Sequence, residues 1–149
     1  MNIFMETTKI PVSKTVGEIQ SLLGQYGCSG VMVLYDKGEV SAVAFEVMHL
    51  DLNRKVAFRL PCRWEPIFKE LTGRQKRPRD GKEAELMEQA KRVAWRQILR
   101  WVEAQLALVE TKMVKVLEVF LPYIQTNLEG QTLFEKIEKE NFKAVTYQP

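Results

Sequence analysis

The residues of this sequence best suited to chemistry are the arginines of one basic segment, residues 54–100. The segment holds 14 Lys and Arg residues against 6 Asp and Glu residues, a net charge of +8, and nine of the 14 are arginines. The rest of the chain holds 8 basic and 13 acidic residues, and the formal net charge of the whole chain is +3. Because the guanidinium group binds phosphate and stacks on bases, a basic segment on an acidic body predicts contact with a polyanion. The same charges also suit a solvated loop and an ion-paired helix face, for example through Glu88 and Arg92, and both interpretations stay open.

The residues predicted to contact nucleic acid include a row of three arginines. Arg92, Arg96 and Arg100 recur at every fourth residue of a predicted helix, so they share one face, and Trp95 lies beside them. An arginine row beside a ring is typical of a groove for single-stranded nucleic acid, in which charge follows the backbone and rings stack on bases. Trp95 suits the helical core equally well, and Trp101 is predicted to be a core residue. The full predicted set is Arg59, Arg63, Arg74, Lys76, Arg77, Arg79, Lys82, Arg92, Trp95, Arg96 and Arg100.

The remaining reactive residues argue against an enzyme. His49 is the only histidine, and the three aspartates fall in three different turns or loops. Two-metal sites need several convergent carboxylates, and Cys28 and Cys62 are 34 positions apart, which is not the spacing of zinc ligands. We therefore predict no enzymatic activity, no cofactor and no metal, and we interpret both cysteines as reduced packing thiols.

Length and composition indicate one globular domain over residues 1–149. The chain has a mass of 17.3 kDa, 46% hydrophobic residues and 28% charged residues, which is ordinary for a folded domain. Its apolar runs are too short to cross a bilayer, and its N-terminus lacks the apolar core of a signal peptide. We expect a cytoplasmic protein without membrane contact.

The elements that must position the basic residues form an α+β pattern. A capping box at Thr15 and Glu18 predicts a helix over residues 15–26, after an N-terminal arm of residues 1–14. Alternating apolar residues predict three strands that form an antiparallel meander, with Val43, Phe45 and Val47 facing the core. These strands cover residues 31–35, 40–48 and 56–60. The opposite, half-apolar face carries Met32, Leu34, Ala44 and Met48, and we expect the C-terminal helices or another subunit to cover it.

The second half of the chain is predicted to be helical. A short helix over residues 64–71 completes a helix–sheet–helix core of residues 15–72. A basic loop of residues 73–82 follows, and because residues 74–82 have no apolar anchor, we expect them to be mobile until a ligand orders them. The C-terminal part, residues 83–149, contains a long helix over 83–110, a shorter one over 114–120, and a last one over 132–141 that opens with a capping box at Thr132 and Glu135.

Three stretches of the sequence resemble a family of small phage and prophage proteins of unknown function. They are residues 92–96 (Arg-Val-Ala-Trp-Arg), 101–107 (Trp-Val-Glu-Ala-Gln-Leu-Ala) and 118–123 (Glu-Val-Phe-Leu-Pro-Tyr). The resemblance covers the strands, the long helix and the Leu-Pro-Tyr segment, hence most of the chain. It implies a phage-derived protein in a bacterial host cell, where recombination and replication accessories and anti-defence proteins are common. It brings no established activity and no site residues.

These observations predict a non-enzymatic accessory protein of phage type that binds nucleic acid, single-stranded DNA before duplex, and forms a homo-oligomer. Arginines between residues 74 and 100 neutralise phosphates in this hypothesis, while Trp95 or Trp64 stacks on a base. The alternative is a protein–protein adaptor or inhibitor that applies its basic face to an acidic partner.

Overall fold

The fold is α+β, as the sequence pattern predicts. A computed structural model describes residues 2–75 and 81–145 of the chain. The helices and strands are α1 (Val12–Gln25), β1 (Gly30–Asp36), β2 (Glu39–His49), β3 (Arg54–Pro61), α2 (Glu65–Gly73), α3 (Lys82–Glu110), α4 (Val116–Phe120) and α5 (Leu133–Lys139), with a 3-10 helix at Leu121–Tyr123. The order of elements is confirmed, and their ends differ from the prediction by a few residues.

The three strands form an antiparallel sheet in the order β1-β2-β3, with the predicted face buried. Phe45 of β2 lies opposite Val31 of β1 and Phe58 of β3, so these residues share one face. The Phe45 and Phe58 rings stack with their centroids 4.9 Å apart, and Phe120 of α4 packs edge-on against both. Both stacked phenylalanines are at most 2% exposed, so the period-two pattern identified the core face correctly.

Two helices cover the core face of the sheet. Ile19 and Leu23 of α1 and Leu99 and Val102 of α3 belong to the same buried cluster as the strand residues. α3 has 29 residues and is therefore about 44 Å long at a rise of ~1.5 Å per residue. Because α1 and α2 both pack on α3, the long helix is the support on which the other helices are positioned.

The start of α1 differs from the prediction. The helix begins at Val12, directly after Pro11, whose backbone is extended at φ −60° and ψ 148°. Thr15 is therefore an interior residue, and its buried hydroxyl donates to the Pro11 carbonyl at 3.5 Å. Glu18 binds Arg96 and does not close a capping box. The predicted start was wrong because the Pro11 carbonyl already accepts from the N–H of Lys14 at 3.1 Å and of Thr15 at 3.2 Å, so the first turn closes before Thr15.

The N-terminal segment lies along α3. The side-chain amide of Gln89 donates to the carbonyls of Glu6 at 2.8 Å and Thr8 at 2.9 Å. The amide of Gln97 donates to the carbonyl of Phe4 at 2.8 Å. Part of the polar face of α3 is therefore covered by the chain itself.

Residues 124–132 continue the sheet beyond β3. Ile124 pairs with Phe58 and Gln125 pairs with Thr132, each as a single antiparallel bridge. Thr132 then caps α5, since its hydroxyl accepts from the Glu135 N–H at 3.2 Å and the Glu135 carboxylate accepts from the Thr132 N–H at 3.2 Å. The second predicted capping box is confirmed.

Candidate nucleic-acid interface

Part of the charge of the basic segment is neutralised within the chain. Among its described residues, 54–75 and 81–100, five basic side chains form ion pairs with acidic side chains from the N-terminal segment, the sheet and the helices. The pairs are Lys55 with Glu46, Arg74 with Glu6 and Glu70, Lys91 with Glu39 and Glu88, Arg96 with Glu18, and Arg100 with Glu103. These five residues therefore have the ion pairs that the second interpretation of the charge pattern requires.

The three arginines of the predicted row differ in their exposure to solvent. Arg96 is 4% exposed and donates to Glu18 at 2.7 Å, because α1 packs against this face of α3. Arg92 is half-buried and donates from Nε to the Gln89 side chain at 3.0 Å. Arg100 is exposed and bound to Glu103 at 2.9 Å. The prediction is corrected for Arg96, because α1 covers it; for Arg92 and Arg100 a role as phosphate ligands stays a prediction.

The two tryptophans predicted to stack on a base both pack against other side chains of the protein. Trp95 is 1% exposed and belongs to the core cluster, so the prediction that it stacks on a base is corrected. Trp64 is half-buried, with the Lys91 ammonium 4.9 Å from its ring centroid and the Phe68 ring edge-on at 5.9 Å. Its ring already makes a cation–π contact.

The basic loop lies partly outside the described residues. Lys76, Arg77 and Arg79 fall in the stretch 76–80 that the structure does not describe, as does the centre of the loop predicted to be mobile. On its two sides, Arg74 follows the end of α2 and Lys82 is an exposed residue that opens α3.

Exposed charge and aromatic rings meet in a groove beside Arg63. Arg63 is exposed, and no acidic side chain of the described residues lies within 4 Å of its guanidinium group. The rings of Trp101 and Tyr123 form one wall, in edge-on contact with their centroids 5.4 Å apart. We call this cavity of about 360 Å³ the Arg63 groove; its lining residues are Leu60, Pro61, Arg63, Ile67, Ala94, Gln97, Ile98, Trp101 and Tyr123.

Local sequence explains why the groove is there. β3 ends at Pro61, and the chain turns away from the sheet before α2 begins at Glu65, which leaves Arg63 on the connection. The 3-10 helix at Leu121–Tyr123 interrupts the chain after α4 and brings Tyr123 against Trp101 of α3. The groove is therefore bounded by rigid elements, since Trp101 also packs edge-on against the buried Phe120 at 5.5 Å.

The charges of Arg59 and Arg63 both lower the pKa of Glu135 at the start of α5. Burial raises the pKa of Glu135, but the hydrogen bonds from Thr132 and the charges of Arg59 and Arg63 outweigh it, so the net pKa lies below its usual value. Arg59 itself donates to the Gly130 carbonyl at 3.3 Å. Arg59 therefore has a structural contact, and Arg63 is the arginine of this pair that faces the groove.

Sequence reasoning missed the two aromatic residues of the groove. Trp101 packs against the core cluster, as its place in the apolar stripe of α3 predicts, but it is only half-buried and also lines the groove. Tyr123 follows Pro122 in the Leu-Pro-Tyr segment, where a proline between two helical stretches is a signal for an interruption. That signal places Tyr123 at a turn but does not say which helix it contacts.

The other chemical groups make no further site in the described part of the chain. Within residues 2–75 and 81–145, no three His, Cys, Asp or Glu side chains are grouped so that they could hold a metal ion. Cys28 and Cys62 are free and half-buried, and burial raises the pKa of the Cys62 thiol to about 12. Of the helices described, none combines the length and the apolar character needed to cross a membrane.

Comparison of the chain with protein-family models, with curated proteins and with solved structures finds no match.

Proposed function

We propose that this protein binds single-stranded nucleic acid, with one base against Trp101 and Tyr123 in the Arg63 groove and the adjoining phosphate on Arg63. The observation that carries the proposal is the position of an exposed arginine without an ion pair, among the described residues, at the mouth of an aromatic-walled groove. Stacking on a ring and neutralisation of the backbone are the two contacts that single-strand binders combine.

The size of the groove favours one unpaired base over a duplex. Its volume of about 360 Å³ is at the lower end of the range for small-ligand sites, ~300–1,000 Å³. A base within a duplex is already stacked and paired, so it reaches such a groove only after extrusion, which costs a few kcal/mol. A single strand offers its bases without that cost.

The chain also continues from the groove toward further basic residues. α2 starts at the groove with Ile67 as a lining residue, and it leads to Arg74 and the basic loop. Together with the resemblance to phage proteins, this supports a role as an accessory in phage recombination or replication, with single-stranded DNA as the preferred strand.

The proposal is tested by fluorescence anisotropy with labelled single-stranded DNA, duplex DNA and single-stranded RNA at about 50 and about 200 mM salt. We expect the wild type to bind single strands more tightly than duplex, with a log–log salt slope of about −0.7 for each phosphate contact. Arg63→Gln removes one contact and should reduce that slope by about 0.7.

Two further variants separate charge from stacking. Arg54→Gln makes the same change at an exposed arginine at the opposite end of β3, and it should leave both affinity and slope unchanged. Tyr123→Leu keeps apolar volume but removes the ring, so it should weaken binding by ~1–3 kcal/mol without changing the slope. Absence of binding by the folded wild type at low salt refutes the proposal and favours the adaptor alternative.

A further inference from the structure

The sheet has one edge that the protein covers and one that it leaves open. Beyond β3, Gln125 donates its backbone N–H to the Ala57 carbonyl at 2.8 Å and Ile124 pairs with Phe58, so residues 124 and 125 occupy the middle of that edge. β1 forms the other edge, and in residues 2–75 and 81–145 only β2 pairs with it. An unpaired strand edge is a template for pairing with another strand, which proteins usually block with charge, proline or a covering segment.

The hydrogen-bond pattern shows which groups of β1 are free to pair. Cys62 donates its N–H to the Ser41 carbonyl at 3.0 Å, so these two residues form a hydrogen-bonded pair. Pairs of this type alternate along antiparallel strands, so Val43 and Phe45 direct their backbone groups to β3, and the residues between them direct theirs to β1. On β1, Val31 and Val33 consequently direct N–H and C=O away from the sheet.

The side chains of this edge carry none of the usual protection. Residues 30–35 contain no charged residue and no proline. Met32 is 61% exposed and Tyr35 is 66% exposed, and the other apolar residues of β1 are half-buried. The edge is therefore apolar, extended and open to an incoming strand.

We propose that a second copy of this chain pairs with this edge, β1 against β1 in antiparallel orientation, to form a two-fold symmetric dimer. The register centred on Val33 is the one that pairs all seven residues of β1. It places Met32 opposite the partner copy's residue 34, a leucine, and Asp36 opposite residue 30, a glycine. No like charges meet within the strand pair, and apolar residues face apolar residues on both sides of the new sheet.

The expected dimer is weak because its interface is small. A strand pair of seven residues with two exposed apolar side chains buries less than the ~1,200 Å² typical of stable complexes. Association should therefore depend on concentration, and the proposal requires no nucleic acid.

Sedimentation equilibrium between about 5 and about 500 µM tests the proposal, a range chosen for an interface at the weak end. We expect the mass of the wild type to rise from 17.3 kDa toward twice that value. Met32→Lys/Leu34→Lys places like charges opposite each other across the pair, so this variant should stay monomeric. Leu50→Lys/Met113→Lys adds the same charge at residues that are 85% and 71% exposed and do not belong to β1, and it should dimerise like the wild type.

A charge-swapped partner tests the register itself. Met32→Glu/Leu34→Glu should also be monomeric alone, whereas an equimolar mixture with the lysine variant should form a heterodimer because residues 32 and 34 of opposite copies then attract. A wild type that is monomeric throughout the range overturns the proposal, as does a lysine variant that dimerises like the wild type. Failure of the mixture to associate overturns the register. Thermal melts of each variant confirm that it is folded.

Discussion

Substitution of Glu18 and substitution of Arg96, the two partners of one ion pair, should change the stability of the protein by different amounts. The Arg96 side chain is 5% exposed and the Glu18 side chain is 39% exposed, so one partner is buried while water reaches the other. The guanidinium group donates to Glu18 at 2.7 Å and to the Thr15 hydroxyl at 3.5 Å, and its Nε is buried with no hydrogen-bond partner in the described structure. Removing Glu18 leaves a buried charge, whereas removing Arg96 leaves a carboxylate in water.

The magnitudes follow from this difference in exposure. Loss of one partner from a fully buried pair costs ~3–5 kcal/mol, and replacement of the buried charge by an apolar side chain of similar volume is often neutral or stabilising. Because Glu18 is partly solvated, we expect Glu18→Ala to cost about 2 kcal/mol, below the fully buried range. Arg96→Met should change stability by less than about 1 kcal/mol, since it removes the unpartnered Nε together with the charge.

Urea unfolding of the two single variants and the double variant measures these changes. For a chain of this size, 1 kcal/mol corresponds to roughly 2–4 °C in melting temperature, so Glu18→Ala should melt about 4–8 °C lower. The double variant should resemble Arg96→Met, because the charge that Glu18 compensates is gone. The reasoning is refuted if Arg96→Met costs more than Glu18→Ala. Arg96→Met should also keep nucleic-acid binding intact, and a loss of binding at unchanged stability would restore the arginine row as a ligand.

Other predictions follow from the local chemistry. The pKa of Glu135 is lowered in the folded protein, so this residue stabilises the fold above its unfolded pKa and loses that effect as the pH falls through the folded pKa. In Glu135→Gln, the free energy of unfolding measured in urea should therefore depend less steeply on pH in that acid range. The Cys62 thiol, with its pKa raised to about 12, should be alkylated at neutral pH far more slowly in the native protein than in urea, as mass spectrometry can follow. Gly130→Ala should destabilise the protein by about 1 kcal/mol more than Gly38→Ala: both glycines have positive φ, but only at Gly130 does a Cβ meet a side chain, Arg59, at 3.3 Å. Equal losses at the two glycines would contradict that assignment.

The fold was predictable because its signals are local. The alternation of apolar residues in β2 sets which face of the sheet is buried, and a shift of one residue would expose the whole row. Thr132 and Glu135 form a capping box because both partners lie within one turn of the chain. Thr15 and Glu18 have the same spacing and do not form one, since Pro11 starts the helix earlier and a distant arginine binds the glutamate.

The candidate site was less predictable because it depends on contacts between distant parts of the chain. The spacing of the arginine row is visible in the sequence, but the packing of α1 on α3, which buries Arg96, is not. Trp95 lies at the edge of the apolar stripe of α3 and Trp101 lies within it, and only the tertiary structure shows that the first is fully buried and the second lines a groove. Hydrophobic periodicity and helix propensity identify a face of a helix, but they do not identify the element that packs against it.

The central claim, that a base stacks in the Arg63 groove, is tested most directly by the indole N–H signals of the three tryptophans. Two-dimensional ¹⁵N–¹H spectra of the full-length protein report each indole separately, and single Trp→Phe variants assign them. On titration with unlabelled single-stranded DNA, we expect the Trp101 signal to shift and to saturate with the binding curve, while the signal of the buried Trp95 stays in place. Binding that leaves the Trp101 signal unchanged, or that shifts only Trp64, contradicts the account.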